Sequence, residues 1–391
     1  MKRWLHLIGY GLLIFSSQVL WVTFSPITTD VAELMNTSVG NVGTLAALFP
    51  IIYIFVAFPA GRWLDTHFKL ALGFGALTVG LGAIARLFFP FSYTAQLVIQ
   101  VILSIGQPFI VNAVAAYASR YFPEKNRSLA ISLSSASIFI GVIFAMVLSP
   151  LIFASGGLMN VHIIFAIPSV LSMVWVLHTL LTRKMNEESL PEVGDSVKLI
   201  DLFKDKFLWI LSGLLAIGLG IFDVLSTWIE PIFAQYDIPG TVSGPLLAVM
   251  LVAGIISSTF LPSLVAKQDA RKTYIITALL VTAAAFIAIA IWQWIPWIVL
   301  WLIASGFLLL AGLPVIMDWT EKHFDVHQHG TAVGFVMLTS HAGGVVMIYV
   351  VKIFLTPASL ALCLLAIITL SGLFLTRLLP KRENTEQQKA V

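Results

Sequence analysis

The chain has 391 residues, of which 59% are hydrophobic, and only 41 carry a formal charge, 22 Lys or Arg and 19 Asp or Glu. About a quarter of the residues of a soluble domain are charged, so the composition excludes a soluble domain, a disordered chain and a nucleic-acid-binding protein. The apolar sequence is enough for about a dozen helices of roughly 20 residues, the length that crosses a bilayer. Because Cys363 is the single cysteine, an intramolecular disulfide and a thiolate metal cluster are also excluded.

Twelve apolar segments, bounded by charges or by Gly, Pro and Asn, predict twelve membrane-spanning helices, numbered here as spans 1 to 12. Their predicted limits are 4–27, 42–62, 69–89, 92–121, 127–154, 159–182, 207–236, 242–266, 272–292, 295–321, 328–354 and 357–379. Span 1 stays apolar beyond Trp21 and has no small-residue cleavage pattern, so we interpret it as a retained helix and not as a signal peptide. We therefore expect an all-α membrane protein.

The positions of the basic residues predict the orientation of the spans. If the N-terminus is cytoplasmic, 20 of the 22 Lys and Arg residues lie on the cytoplasmic side, and only Arg86 and Lys352 lie outside. Loops rich in Lys and Arg stay in the cytoplasm. With twelve spans, both termini are then cytoplasmic, and we expect an integral protein of the plasma membrane, which is the inner membrane in a bacterium.

One long polar stretch predicts the domain organisation. Residues 183–206 carry 11 charges, five basic and six acidic, and they separate six spans from six. We predict an N-terminal six-helix bundle over 1–182, a cytoplasmic linker over 183–206, a C-terminal six-helix bundle over 207–379 and a cytoplasmic tail over 380–391. The end of the linker has the apolar spacing of a short interfacial helix, and a solvated tether fits it equally well.

Prolines recur at a nearly constant offset and indicate an internal repeat. The pairs are Pro26 and Pro231, Pro59 and Pro262, and Pro108 and Pro314. Transporters built from repeated bundles bind their substrate between the repeats, near the middle of the bilayer. The repeat therefore predicts a central site between the two halves.

The loop between spans 2 and 3 reads Gly61-Arg62-Trp63-Leu64-Asp65-Thr66-His67-Phe68-Lys69. It resembles the loop signature of the major facilitator superfamily, with Gly61, Asp65 and Lys69 at matching positions, whereas Thr66 and Phe68 depart from it. The resemblance implies twelve helices in two six-helix bundles and a cytoplasmic latch that holds one conformation. In such a latch Gly61 lets two helices approach closely, and Asp65 accepts charge-assisted hydrogen bonds.

A closer resemblance lies in four segments. They are 21–27 (Trp-Val-Thr-Phe-Ser-Pro-Ile), 58–65 (Phe-Pro-Ala-Gly-Arg-Trp-Leu-Asp), 106–110 (Gly-Gln-Pro-Phe-Ile) and 225–228 (Leu-Ser-Thr-Trp). These are similar to the feline leukaemia virus subgroup C receptor family of solute carriers, which is linked to choline, ethanolamine and, with more dispute, haem transport. Span 4 has no Arg upstream of Gly106, and span 5 lacks a Gly-Pro-x-x-Gly-Gly run, which disfavours a proton-driven drug exporter without excluding it.

Polar residues of span 1 form a candidate substrate surface. Gln18, Trp21, Ser25 and Thr28 are spaced to share one helix face. Interhelical packing would explain this face. The alternative is that the Trp21 ring binds an ammonium group by a cation–π contact. The second reading agrees with the receptor family, in which the matching Trp contributes to the substrate site.

Asp223 in span 7 is the strongest candidate, because an ionisable residue within a span is costly and often functional. It shares a face with Ser226 or Thr227 and with Glu230. Asp223 could carry a proton or be the counter-ion of a cationic substrate, and a purely structural carboxylate is the alternative. The receptor family has an aromatic residue at this position, so the substrate of that family does not transfer directly.

His341 in span 11 lies in Thr339-Ser340-His341-Ala342-Gly343-Gly344 and aligns with a substrate-contacting Gln of the receptor family. A lone His in a helix is often a packing residue. Together with Asp223, however, it would provide the groups of a proton relay. Counted from the cytoplasmic ends, Trp21, Asp223 and His341 reach similar depths, so we expect them to converge.

Further polar residues are placed by the same counting. Gln107 and Asn112 of span 4 could orient a substrate or simply pack. Asp318, near the cytoplasmic end of span 10, is expected to pair with a basic residue as a gate. Carboxylates near the outer mouth could pair with Arg86 or Lys352 or remain solvated; these are Asp30, Glu33 and Glu230. Four tryptophans between 292 and 301 predict an aromatic belt.

Taken together, these features predict a secondary active transporter that moves a small organic solute, an organic cation or amine, by alternating access, with or without proton coupling. The alternatives are a proton-coupled exporter of drugs or metabolites and, from another class, a non-transporting membrane receptor or sensor. We expect no enzyme activity and no cofactor, because no nucleophile–base set, metal motif or ATP-binding sequence is present. The expected partners are a small-molecule substrate, the lipid bilayer and protons, with no nucleic acid, and we expect a monomer.

Overall fold

A computed structural model describes residues 2–183, 203–324 and 329–379, and within these segments the secondary structure is helical, without strands. We number the helices α1 to α14 in chain order. Their bounds are Lys2–Trp21, Thr28–Leu34, Val39–Thr66, Phe68–Phe88, Tyr93–Val111, Ala113–Tyr121, Glu124–Thr182, Lys206–Ala234, Gly240–Lys267, Arg271–Ile291, Ile295–Leu309, Gly312–His323, His329–Ile353 and Ala358–Leu378.

Eleven helical segments of the described chain are long and apolar enough to cross a membrane. One of them, α7, has 59 residues, and at about 1.5 Å per residue it is far longer than the roughly 30 Å of one crossing. Gly157 interrupts α7 with a φ of 71°, a left-handed value that suits glycine. Thus α7 contains spans 5 and 6, and the predicted all-α fold with twelve spans is confirmed.

The chain divides into two compact units. The first comprises Met1–Glu192 and Leu225–Ala248, and the second comprises Val193–Val224 and Val249–Val391. The predicted division into bundles at residues 182 and 207 stays a prediction. Most of the predicted linker lies outside the described residues. Near its end, Asp205 caps α8, because its Oδ1 accepts the N–H groups of Phe207 and Leu208 at 2.7 and 3.0 Å.

Span 1 is not the continuous helix that the sequence predicts. Its helix α1 ends at Trp21, a short 3₁₀ turn covers Ser25–Ile27, and α2 begins at Thr28. The physical reason is Pro26, which lacks an N–H group and whose ring clashes with the carbonyl four residues earlier in a helix. The expectation that Gln18, Trp21, Ser25 and Thr28 share one helical face is therefore wrong beyond Trp21.

The segment after the break packs into an apolar core of the first unit. Phe24, Ile27 and Val31 are buried against Leu45 of α3 and against Leu158, which follows the Gly157 interruption. In a bilayer such side chains stabilise the fold through van der Waals packing, because lipid tails are as apolar as they are. The core therefore fixes the broken part of span 1 against spans 2 and 6.

Candidate functional site

Trp21 lies at the last residue of α1, immediately before the break. It is 8% exposed, and its Nε1 donates a hydrogen bond to the Ala46 carbonyl at 2.8 Å. Its ring stacks on Phe49 with a centroid distance of 5.7 Å and an interplanar angle of 22°. Helix α3 therefore holds both the polar edge and one face of the indole.

The other polar candidates of the first unit are also held by nearby groups. Gln18 is buried beside Gly141, and its Nε2 donates to the Ser17 hydroxyl at 3.3 Å. Asn112, at the junction of α5 and α6, accepts a hydrogen bond from Tyr53 at 2.7 Å and donates to the Ala57 carbonyl at 3.2 Å. These bonds tie span 4 to span 2, which supports the packing interpretation of Asn112.

Gln107 differs from Asn112 in its surroundings. Its Oε1 atom is buried and accepts no hydrogen bond from the described part of the chain. A buried amide oxygen normally has a partner. Of the two span 4 candidates, Gln107 is therefore the one whose acceptor oxygen has no hydrogen-bond partner among the described residues.

Asp223 is buried in α8, with 5% of its surface exposed. Its Oδ2 faces Gly344 of α13, where a Cβ atom would stand 2.8 Å from that oxygen and 3.3 Å from the Gly220 Cα. Glycines at 220 and 344 thus let α8 and α13 approach closely. Their close approach brings the carboxylate against the backbone of span 11.

His341 lies on the same helix, three residues before Gly344, and so faces a similar direction. Its Nδ1 is 2.8 Å from the Met337 carbonyl, a contact in which Nδ1 carries the proton and donates. Asp223 and His341 both belong to the second compact unit of the chain. The other predicted substrate-binding residues belong to the first unit; these are Gln18, Trp21, Gln107, Asn112 and the buried Thr227. The expected convergence of Trp21 with Asp223 and His341 stays a prediction.

The signature loop forms fewer contacts than its motif predicts. A Cβ atom on Gly61 would meet nothing within 4 Å in the described structure, so this glycine is not required for a close helix contact here. Asp65 is exposed, and only its backbone carbonyl is contacted, by Arg120 at 3.5 Å. Lys69 donates to the Arg183 carbonyl at 3.1 Å, which joins spans 3 and 6. The expected charge-assisted bonds of the Asp65 carboxylate are absent from the described contacts.

Asp318 of α12 has the basic partner that was expected. Its Oδ2 accepts hydrogen bonds from Nε and Nη2 of Arg271 at 2.9 and 2.7 Å. Arg271 also contacts Asp269 at 3.1 Å, and Lys322 lies 3.9 Å from Asp318. Arg271, the first residue of α10, is therefore hydrogen-bonded to span 10 through Asp318.

Two charges assigned to the outer mouth are buried instead. Arg86 is 1% exposed and donates to the Thr23 hydroxyl and the Leu20 carbonyl, both at 3.1 Å, and to the side chain of Gln100. Glu230 accepts the N–H and hydroxyl of Thr29 at 3.0 and 3.1 Å. The prediction of rim charges or mutual ion pairs is wrong for both, because each side chain turns inward to the backbone of the broken span 1.

Arg86, Gln100 and Ser149 were missed as important residues. The available signal was a polar face in span 4, where Gln96, Gln100 and Ser104 recur every four residues. A single Arg within span 3 was a second signal.

A buried carboxylate within one span and a broken helix bonded by buried polar groups are features of helical membrane transporters. The Major Facilitator Superfamily model matches residues 7–348 of this chain. The chain belongs to this superfamily, a fold class whose function is membrane transport.

Relatives and solved structures agree with this membership. Solute carrier family 49 member A3 of Danio rerio is 27% identical over 285 residues, which are 67% of this chain and 58% of that protein. The Xenopus tropicalis protein of the same description is 25% identical over 311 residues, 74% of this chain and 64% of that protein. The chain thus spans about three fifths of the length of these relatives.

Among solved structures, a bacterial homologue of the human lysosomal transporter Spinster, in an inward-facing and occupied conformation, has a TM-score of 0.75 at 14% identity and covers 95% of both chains. The nucleoside transporter NupG has a TM-score of 0.74 at 14% identity, covering 95% of this chain and 99% of its own. At this identity the likeness establishes the fold alone.

Proposed function

We propose that this protein is a secondary active transporter that moves a small organic cation or amine by alternating access, with Asp223 as the principal charged contact of the substrate. The observation that carries the proposal is the burial of Asp223, 5% exposed, within a helix of 29 residues. At about 1.5 Å per residue it lies roughly 26 Å from Lys206, the start of α8. A carboxylate so far inside an apolar helix is costly unless it has a use.

A cationic substrate would supply that use. An ammonium group beside Asp223 forms a charge-assisted hydrogen bond in surroundings of low dielectric, where such bonds are strong. Trp21 adds an aromatic face, and a cation–π contact contributes about 0.5–2 kcal/mol. The resemblance to the receptor family of choline-linked carriers supports an amine as the substrate class.

Gln107 and Thr227 are assigned neutral roles in this proposal. Gln107 offers a buried acceptor oxygen, which suits the hydroxyl or amino group of an ethanolamine-like solute. Thr227 is buried one turn beyond Asp223 on α8 and extends the polar face of that helix. Asn112 would support the site through its hydrogen bonds to α3, and Gln18 through its packing against Gly141 of α7.

Proton coupling is the second part of the proposal. Asp223 contacts the backbone of span 11 at Gly344, and His341 lies one turn away on that helix. A carboxyl and an imidazole in succession can pass a proton. Binding of a cation and binding of a proton at Asp223 would then exclude each other, and this competition couples the two fluxes.

The test is uptake of radiolabelled choline and ethanolamine into proteoliposomes, with and without a pH gradient. Asp223→Asn is expected to lower uptake at least 10-fold and to abolish its response to the gradient, whereas Glu321→Gln, an exposed carboxylate at the end of α12, is expected to behave as wild type. Unchanged, gradient-independent uptake in Asp223→Asn would refute the proton-carrier role. Binding of an amine without flux would identify a receptor, and stimulated efflux of other solutes would identify an exporter.

A further inference from the structure

The break in span 1 leaves backbone carbonyls without their helical partners. Ser25 N–H bonds to the Val22 carbonyl and Ile27 N–H bonds to the Phe24 carbonyl, both at 3.1 Å and both three residues back. The carbonyls of Trp21 and Thr23, which a continuous helix would pair with these two N–H groups, need other donors. Inside a membrane protein a buried carbonyl must be satisfied by protein groups.

Three side chains from three other helices donate hydrogen bonds to the carbonyls of Leu20, Trp21 and Thr23. Arg86 of α4 donates to the Leu20 carbonyl at 3.1 Å, and Gln100 of α5 donates to the Trp21 carbonyl at 3.3 Å. Ser149 of α7 donates to the Thr23 carbonyl at 2.7 Å. All three donors are buried, so water does not compete for these carbonyls.

Arg86 is the centre of this arrangement. Its Nη2 contacts both the Leu20 carbonyl and the side chain of Gln100, and its Nη1 donates to the Thr23 hydroxyl at 3.1 Å. Its guanidinium lies over the Phe24 ring at 4.9 Å. Within the described structure it has no carboxylate at ion-pair distance. The planar fork of an arginine can serve several acceptors at once, which a lysine ammonium on a flexible stem does less well.

We propose that Arg86 is a positioning residue for Trp21. It fixes the Leu20 carbonyl directly and orients Gln100, which in turn bonds the carbonyl of Trp21 itself. The opposite side of Trp21 is fixed by Ala46 and Phe49. The indole is thus held from span 2 through its ring and from spans 3 and 4 through its backbone. The part of this inference that concerns transport rests on the proposed contact between Trp21 and the substrate.

The positioning role is tested first without any substrate. Protein labelled with 5-fluorotryptophan gives one fluorine resonance for each tryptophan, and the Trp21 resonance is assigned by its loss in Trp21→Phe. Arg86→Lys and Gln100→Leu are each expected to shift or broaden the Trp21 resonance. Arg377→Lys, an exposed arginine of α14, is the matched control and is expected to leave it unchanged. A Trp21 resonance that is unmoved in both Arg86→Lys and Gln100→Leu overturns the proposal.

The role in transport is tested by a double-mutant cycle with choline uptake as the readout. Arg86→Lys is expected to raise KM about 10-fold with kcat within about twofold. In a Trp21→Phe background the same substitution is expected to leave KM unchanged, because residues that act through one another are not additive. Independent, multiplying effects on KM would contradict a role exerted through Trp21.

Two further outcomes separate this inference from the proposed function. If Arg86→Lys fails to fold, Gln100→Leu keeps both arms of the test, since it removes the bond to the Trp21 carbonyl and retains the arginine. If Trp21→Phe leaves KM unchanged, the proposed substrate contact of Trp21 fails. The fluorine spectra then still decide whether Arg86 positions the indole.

Discussion

Replacement of Asp318 by Asn removes the carboxylate that binds Arg271 and tests what holds span 10 to the start of span 9. Arg271 is 2% exposed and Asp318 is 41% exposed. Both Nε and Nη2 of the guanidinium bond to the same carboxylate oxygen. The substitution keeps the shape of the side chain and one carbonyl acceptor and removes the negative charge.

The expected loss of stability follows from these exposures. A hydrogen bond to a charged group contributes about 1.5–3 kcal/mol, and exposure of one partner lowers that value by solvent screening. Arg271 retains its contact with Asp269 at 3.1 Å. We therefore expect a loss of about 1–2 kcal/mol, which corresponds to a fall in Tm of about 2–8 °C at 2–4 °C per kcal/mol.

The assay is thermal unfolding of the purified protein in detergent, followed by intrinsic tryptophan fluorescence. Asp269→Asn is the matched control, because it removes the other carboxylate of the same arginine, which makes a single bond and is 46% exposed. Its fall in Tm is expected to be smaller. An Asp318→Asn protein as stable as wild type, or a larger loss in Asp269→Asn, would refute the argument from bond number and burial.

Two further predictions concern close contacts between helices. A Cβ on Gly306 would overlap the Met250 backbone, whereas a Cβ on Gly218 would meet nothing within 4 Å. Gly306→Ala is therefore expected to lower the free energy of unfolding by about 1–3 kcal/mol, and Gly218→Ala to leave it unchanged or raise it by up to about 1 kcal/mol. Thermal melting curves of the two variants test this difference. Glu230→Leu is expected to speed hydrogen exchange of the Thr29 amide about 10-fold, since its acceptor is lost. Glu33 is exposed on α2, the short helix that also contains Thr29, and Glu33→Leu is expected to leave the exchange rate of the Thr29 amide unchanged. Equal rates in the two variants would disprove the role of Glu230 as the acceptor of this amide.

The spans could be predicted from the sequence because apolar length and the charges of loops are local properties. Each crossing needs roughly 20 apolar residues wherever it packs, and the turn at Gly157 falls between the predicted limits of spans 5 and 6. The pairing of Asp318 with a nearby base was predictable for a similar reason. A carboxylate at a helix end has few partners within reach, although the sequence did not single out Arg271.

The break in span 1 could not be placed in the same way. A proline within a membrane helix can be absorbed or can break the helix, and the outcome depends on donors that other helices supply. Pro231 remains inside the continuous helix α8, whereas Pro26 lies within a break. Beside Pro26, the carbonyls of the interrupted helix accept hydrogen bonds from side chains in distant parts of the chain, namely Arg86, Gln100 and Ser149. The roles of Arg86 and Glu230 escaped prediction for the same reason, since their partners are backbone groups that only the break makes available.

The turn at Gly157 also bears on how the protein enters its membrane. Spans 5 and 6 follow each other within one 59-residue helical stretch that is interrupted at a single left-handed glycine. No connecting loop separates them, so the two helices form a hairpin as soon as both have been synthesised. We expect them to pass from the insertion machinery into lipid as a pair. A reporter or epitope tag placed at this turn would separate the pair, and topology is better mapped at the polar stretch that follows span 6.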